Sequence, residues 1–112
     1  MAIPSGSGSE VLKSISGTVT NTTATLFTVD TNHIITVLSI IMWNSTSASS
    51  TGGIELNNGS GDIRISNQVI SGLQTFVWND RIVLHPTHVL KLYESSNKAN
   101  NYWVSYIEQD WS

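Results

Sequence analysis

The segment of residues 33–43 is the most apolar in the chain and constrains the fold most strongly. Its even positions are apolar apart from Thr36, and its odd positions are apolar apart from His33 and Ser39. β-Branched residues dominate it, and turn residues lie close on both sides, which favours a strand over a helix. A strand that is apolar on both faces needs cover on both faces. In so small a domain, the core covers one face, and a second chain is the expected cover for the other.

The rest of the chain contains short apolar segments separated by turn residues at roughly ten-residue intervals, with no helical pattern. This arrangement predicts an all-β, single-domain antiparallel β-sandwich of about eight strands. A jelly-roll-like arrangement fits the strand count, and an immunoglobulin-like sandwich fits the spacing almost as well. The predicted strands are 11–20, 23–29, 33–43, 54–57, 62–70, 74–84, 89–93 and 102–108.

Within this frame, residues 1–10 are predicted to be a flexible N-terminal arm, and residues 11–112 the sandwich with a short C-terminal tail. Segment 74–84 is either one bent strand or a hairpin. Residues 44–53 are small, polar or glycine, and they are expected to form an exposed, mobile loop with a candidate contact site. The residues predicted to point inward from other strands are Ile15, Val19, Ile54, Leu56, Ile63 and Ile65.

Composition excludes several classes of partner. The net charge is -3 and the five Lys and Arg residues are scattered, so nucleic-acid binding through phosphates is not expected. There are no cysteines, which excludes disulfides and thiolate metal sites within these residues. The start of the chain lacks the pattern of a signal peptide, and residues 33–43 are too short for a membrane-spanning helix, which needs about 20 residues. The expectation is a soluble protein made in the cytoplasm, with no membrane partner.

No constellation of residues predicts catalysis. The carboxylates fall mostly at predicted turns or solvent-facing positions, and no pair is placed for glycoside hydrolysis. His85 and His88 are three apart, but a proline turn separates them, so no helical face aligns them for a metal. Neither a nucleophile elbow nor a phosphate-binding glycine loop occurs. The prediction is therefore no catalytic residue, no cofactor and no metal.

The four tryptophans divide into core and surface candidates. Trp43 and Trp78 adjoin apolar runs, which predicts core positions. Trp103 follows Tyr102 on the last predicted strand, so one of the two faces outward. Trp111, in the terminal tail, is the best candidate for docking on a partner.

Several strand and turn segments, spread over most of the chain except residues 44–61, carry a resemblance to a known family. These segments are IPSGSGSEVLK (3–13), FTV (27–29), HIITVLSII (33–41), TFVWND (75–80), IVL (82–84), VLK (89–91), YI (106–107) and QDW (109–111). In these segments the chain resembles small virion proteins of tailed bacteriophages, in particular those of marine podoviruses. The resemblance implies a jelly-roll virion protein of the capsid decoration, or cement, type, which commonly sits as a trimer where capsomers meet.

The resulting hypothesis is a non-enzymatic protein on the capsid surface that stabilises contacts between major capsid protein subunits. A tail or fibre component that binds a host-surface glycan is the alternative, and a hydrolase is disfavoured by the missing site. The even face of residues 33–43 is expected to form the core. Its odd face is expected to pack under another sheet edge or against a sister protomer. The predicted partner-interface residues are Ile3, Pro4, Ile35, Val37, Ile41 and Trp111. Val37→Asp is predicted to disrupt folding or assembly, and changes in residues 44–53 to spare both.

Overall fold

The computed structural model describes residues 9–111, and these residues form nine β-strands. None of the described residues is helical, so this part of the chain contains no helix that could cross a membrane. The strands are β1 (Ser9–Thr20), β2 (Thr23–Thr28), β3 (His33–Asn44), β4 (Ser50–Asn57), β5 (Asp62–Ile70), β6 (Thr75–Trp78), β7 (Ile82–Leu84), β8 (Val89–Glu94) and β9 (Ala99–Asp110).

The strands form two antiparallel sheets that pack as a sandwich. Sheet A has the order β1-β9-β3-β6, with β7 also paired to β3, and sheet B has the order β2-β8-β4-β5. Because β6 and β7 pair antiparallel with successive parts of β3, they are one interrupted strand and not a hairpin. Counted in this way, the two sheets have four strands each, which is the jelly-roll arrangement. The prediction of a β-sandwich is confirmed.

The core consists of aliphatic side chains that alternate along the strands and meet between the sheets. Val104 of β9 and Leu92 of β8 are fully enclosed, and Val19 of β1 is enclosed as predicted. Partly buried aromatic side chains from β2, β6 and β9 pack around this centre. The cluster contains Val19, Leu26, Val29, Ile35, Val37, Ile40, Met42, Ile54, Ile70, Ile82, Leu84, Leu90, Leu92 and Val104.

A β-bulge in β3 determines which of its residues enter the core. The ladder between β3 and β9 shifts between Val37 and Ser39, so Leu38 is an extra residue without a directly opposite partner. Ile35 and Val37 face the core before the bulge, and Ile40 and Met42 face it afterwards. The prediction that the even positions alone form the core is therefore wrong, because the extra residue exchanges the two faces of the strand halfway along it.

Residues 44–53 do not form the exposed loop that the sequence suggested. β3 continues to Asn44 and β4 begins at Ser50, and both of these side chains are buried. The Asn44 amide donates hydrogen bonds to the carbonyl oxygens of Ala48 (2.6 Å) and Ile70 (3.0 Å), and its oxygen accepts one from the backbone N–H of Thr46 (3.0 Å). One buried amide thus fixes the short loop between β3 and β4. The prediction of a mobile ten-residue loop is wrong.

Gly52 and Gly53 also belong to β4, and both are buried. A Cβ atom on Gly53 would overlap the Tyr93 ring and approach the Ser66 carbonyl oxygen to 2.6 Å. Glycine is needed there because an aromatic ring from β8 lies directly on the backbone of β4. Substitutions at this position are therefore expected to disturb folding, contrary to the prediction for residues 44–53.

Two further residues that the sequence predicted to be inward or in the core are exposed, and both lie near the ends of strands. Ile63 has the inward orientation of its strand, but it lies near the end of β5 and is 48% exposed. Trp43 lies beyond the bulge and is 39% exposed, whereas Trp78 packs against the core as predicted. Leu56 and Ile65 pack at the margin of the core.

A buried carboxylate joins two connections at one end of the sandwich. Glu94, at the end of β8, accepts hydrogen bonds from the backbone N–H groups of Asn21 (2.8 Å), Ser96 (2.6 Å) and Lys98 (3.0 Å). Its own N–H donates to the carbonyl oxygen of Thr22 at 3.1 Å. Glu94 therefore connects the turn between β1 and β2 to the loop between β8 and β9.

Val37→Asp is expected to unfold the protein, because Val37 is 0% exposed and an unpaired charge would enter the core. We expect a loss of more than about 4 kcal/mol in the free energy of unfolding. The matched control is Val83→Asp on β7, where the side chain is 52% exposed. That change should cost less than about 1 kcal/mol. Urea unfolding followed by tryptophan fluorescence measures both, and equal stabilities would contradict the assignment of Val37 to the core.

Candidate interaction surface

The outer face of sheet A carries large apolar side chains that the fold leaves exposed. These side chains come from all five strands of the sheet, and each of them is at least 37% exposed. We call this set the apolar face. It consists of Leu12, Ile41, Trp43, Val77, Val83 and Trp103.

Half of the apolar face is a row that crosses three strands. Trp103 of β9 lies directly opposite Ile41 of β3, and Ile41 lies directly opposite Val77 of β6. Trp43 lies two residues further along β3, on the same side. The bulge at Leu38 creates this row, because it gives the outer face to Ile41 and Trp43 and the core to Ile40 and Met42. Directly opposed side chains of this kind form one continuous contact surface.

A shallow groove lies near the bulge, beside this row. It has a volume of about 500 Å³ and mixes apolar carbon with serine hydroxyl groups. Leu12 of β1 lies on one side and Leu38 of β3 on the other. The lining residues are Leu12, Lys13, Ser14, Leu38, Ser39 and Ser105.

The outer face of sheet B is polar and internally paired. Arg64 lies 3.8 Å from the centre of the Tyr93 ring and bonds to Glu55 at 2.9 Å. The Tyr93 hydroxyl donates to Asn67 at 2.6 Å, and ion pairing continues between Lys91 and Asp62 at 3.0 Å. The two outer faces of the sandwich therefore differ in chemistry, and sheet A presents the more apolar surface.

A small charged cluster lies on β1, β3 and β9. The Lys13 ammonium donates to Oε1 of Glu108 at 2.7 Å, and His33 Nδ1 lies 2.6 Å from Oε2 of the same carboxylate. His33 Nε2 lies 3.5 Å from Asp110. The hydrogen bond from Lys13 is the largest influence that lowers the pKa of Glu108, and the same bond raises the pKa of Lys13.

Two residues of this cluster, together with Asp30, form the three-ligand group that the described residues offer to a metal ion. Asp30, His33 and Glu108 each place one ligand atom within 4.8 Å of the others. A metal ion would have to displace Lys13 from Glu108 and break the contact between His33 and Glu108. The Lys13–Glu108 ion pair and the His33–Glu108 hydrogen bond therefore connect β1, β9 and β3. The absence of a metal remains a prediction.

The predicted interface residues on β3 separate into two groups. Ile35 and Val37 lie in the core, 2% and 0% exposed, so the expectation that they face a partner is corrected. The physical reason is the bulge, which places the odd positions inward before Leu38 and outward after it. Ile41 lies on the apolar face, and its role at an interface remains a prediction.

Trp111, the predicted interface residue at the C-terminal end, is less accessible than the sequence suggested. The Trp111 backbone N–H donates to the carbonyl oxygen of Asn32 at 2.8 Å, and the residue is partly buried. Its indole Nε1 is enclosed without a hydrogen-bond partner among the described residues. Ile3 and Pro4 lie outside the described residues. A docking role for these three residues stays a prediction.

Sequence reasoning missed most of the apolar face. The alternation of β9 allowed either Tyr102 or Trp103 to point outward, and the structure places Trp103 outward and Tyr102 against the core. For Val77 and Val83, the sequence weakly indicated an outward orientation, because each lies between two larger apolar residues in a short strand. For Leu12 there was no such indication, because the residues of β1 do not reveal that it is an edge strand.

The other histidines form a turn. His88 Nδ1 accepts a hydrogen bond from the backbone N–H of His85 at 3.1 Å, and the two rings meet edge to face with centroids 5.7 Å apart. This contact supports the turn between β7 and β8.

No protein-family model and no curated protein matches this chain. Among solved structures, the fold is similar to a chain from Bacillus endospore appendages, which form disulfide-linked pili. That alignment has a TM-score of 0.59 at 11% identity and covers 100% of this chain and 97% of the other. A chain from the Gx strain of infectious bursal disease virus aligns with a TM-score of 0.45 at 13% identity, over 93% of this chain and 32% of the other. The appendage likeness supports the β-sandwich fold, and at this identity it shows the fold alone.

The Glu108 ion pair predicts a pH-dependent contribution to stability. Since folding lowers the pKa of Glu108, its contribution is present above its unfolded pKa, about 4.3, and is lost as the pH falls through the folded value. Glu108→Gln should therefore cost about 1 kcal/mol at pH 7, and the cost should shrink below about pH 4. Urea titrations between these pH values measure the difference. Glu10→Gln on the adjacent strand β1 is the control, and an equal pH dependence in both variants would contradict the assignment of this contribution to Glu108.

Proposed function

We propose that this chain is a non-enzymatic structural protein that decorates a capsid and stabilises contacts between major capsid protein subunits. Its place would be the surface of a virion, after synthesis in the host cytoplasm. In this role it acts as a homo-oligomer, for which the resemblance to phage virion proteins implies a trimer. The proposal involves no nucleic acid and no membrane.

The apolar face is the observation that carries this proposal. Its side chains remain exposed although the core of the sandwich is complete without them. A contiguous exposed apolar surface marks a site of protein interaction or ligand binding. Burial against a partner would contribute about 25 cal/mol per Å² before the ordering costs of binding. Repetition across a shell would raise the combined strength through valency.

The likeness to the appendage chain supports an assembly role at the level of architecture. A β-sandwich of this size is the unit of a pilus in that case. This chain has no cysteine, so disulfide links of the kind named for those pili are not open to these residues. In the proposed role, surface burial and strand pairing hold the copies together in place of disulfides.

The proposal predicts binding to shells of the major capsid protein encoded in the same genome. Co-sedimentation of purified chain with such shells should saturate at a fixed ratio of copies to capsid subunits. Val77→Ser, on the apolar face, should weaken binding by at least about fivefold, because it removes apolar contact at the interface. Val69→Ser is the matched control, since Val69 is an exposed valine on the outer face of sheet B.

Loss of binding in both valine variants, or in neither, would contradict the assignment of the apolar face as the capsid-binding surface. Absence of binding by the unmodified chain would contradict the proposed function itself. Thermal unfolding of each variant checks that the sandwich is intact. We expect little change in either variant, because both valines are exposed.

Glycan binding is the second candidate, and the exposed tryptophans favour it. Trp43 and Trp103 lie on adjacent strands of the apolar face, and exposed indole rings can stack on sugar rings. A glycan array distinguishes the two functions. Selective glycan binding that is lost in Trp103→Ala, together with no affinity for shells, would favour this alternative.

A further inference from the structure

We propose that the free edge of β1 pairs with the same edge of a second copy of this chain, in antiparallel orientation about a two-fold axis. This inference rests on the proposed role in assembly and deepens it by naming the contact between copies. It replaces the implied trimer with a dimeric unit.

The free edge of β1 is long and regular. β1 pairs with β9 over twelve consecutive residue pairs without a register shift. On its other side, no described strand is hydrogen-bonded to it, because β1 ends the order of sheet A. Apart from Ile15 and Val19, every residue of β1 is exposed. An uninterrupted row of unpaired backbone N–H and C=O groups is a template for another strand.

Of the devices that normally protect such an edge, β1 has neither a proline nor a bulge. Its two charged side chains are both engaged by the neighbouring strand β9. Lys13 pairs with Glu108, and Glu10 accepts a hydrogen bond from the Gln109 side chain at 3.0 Å. Gly17 is explained by packing, since a Cβ atom there would lie 2.6 Å from the Tyr102 hydroxyl. A long edge without proline, bulge or unpaired charge indicates a pairing site.

The other edges are each shortened or interrupted. β2 has six residues and a register shift around Leu26, and β5 has a shift around Ile65. The opposite edge of sheet A is divided between β6 and β7, of four and three residues. Among the described strands, the matching long edge that a second copy can offer is therefore its own β1. This argument selects a two-fold contact over a head-to-tail contact, which would use two different edges.

The side chains of β1 suit antiparallel pairing with themselves. In an overlap centred on Ser14 or Ile15, Glu10 of one copy would face Thr18 or Thr20 of the other. No like charges would oppose each other in these registers. Leu12, which is 70% exposed, would gain neighbours across the new strand pair. The apolar faces of the two copies would then belong to one continuous sheet, which enlarges the surface available to a shell.

Single cysteines test this contact directly, because the chain has none of its own. Ser14→Cys and Ser16→Cys place a thiol near the proposed axis, and both positions are exposed. Opposed residues of paired strands approach closely enough for a disulfide. Under mild oxidation, one of these variants, or a mixture of the two, should form dimers at least about tenfold faster than Gln68→Cys on the edge of β5. Sedimentation equilibrium of the unmodified chain should give a dimer.

A monomer or a trimer in sedimentation, or equal cross-linking rates at β1 and β5, would overturn the inference. Circular dichroism under reducing conditions verifies the fold of each variant. Shell co-sedimentation separates the two proposals. A monomer that binds shells overturns the edge pairing alone, and a β1-linked dimer without affinity for shells overturns the capsid function alone.

Discussion

The bulge at Leu38 is the constraint on which the rest of the structure depends. β3 pairs with β9, β6 and β7. The direction in which each β3 side chain points therefore determines which side chains of those three strands it contacts. A single unpaired residue lets Val37 and Ile40 both face the core although they are three apart. Without it, half of the central strand would present its core residues to solvent.

The buried polar groups show how the sandwich closes around this strand. Asn44 satisfies backbone groups of the loop that follows β3, and Glu94 satisfies three N–H groups at the junction of two connections. Buried amides and carboxylates are stable only when their hydrogen bonds are made, so each fixes the backbone around it. These three connections, β1–β2, β3–β4 and β8–β9, are therefore fixed by buried hydrogen bonds.

The chain has few charged residues, and most of those on the sheets are paired with one another. Ion pairs and the Arg64–Tyr93 contact occupy the outer face of sheet B, and the Lys13–Glu108–His33 cluster joins three strands of sheet A. Few charges remain for the rest of sheet A. The apolar face and the free edge of β1 meet on that sheet, which concentrates the sites for partners on one side of the molecule.

The sequence by itself determined the fold class, because strand alternation and turn chemistry are local properties. It located most strands within a few residues, and it identified Val19 and Ile54 as core. Tertiary structure alone decided the faces of β3, the burial of Asn44 and Gly53, and the exposure of Trp103. The physical reason is that a bulge, a sheet edge and a close backbone approach depend on which strands become neighbours. That pairing is set by contacts between residues far apart in the chain, and no local pattern records it.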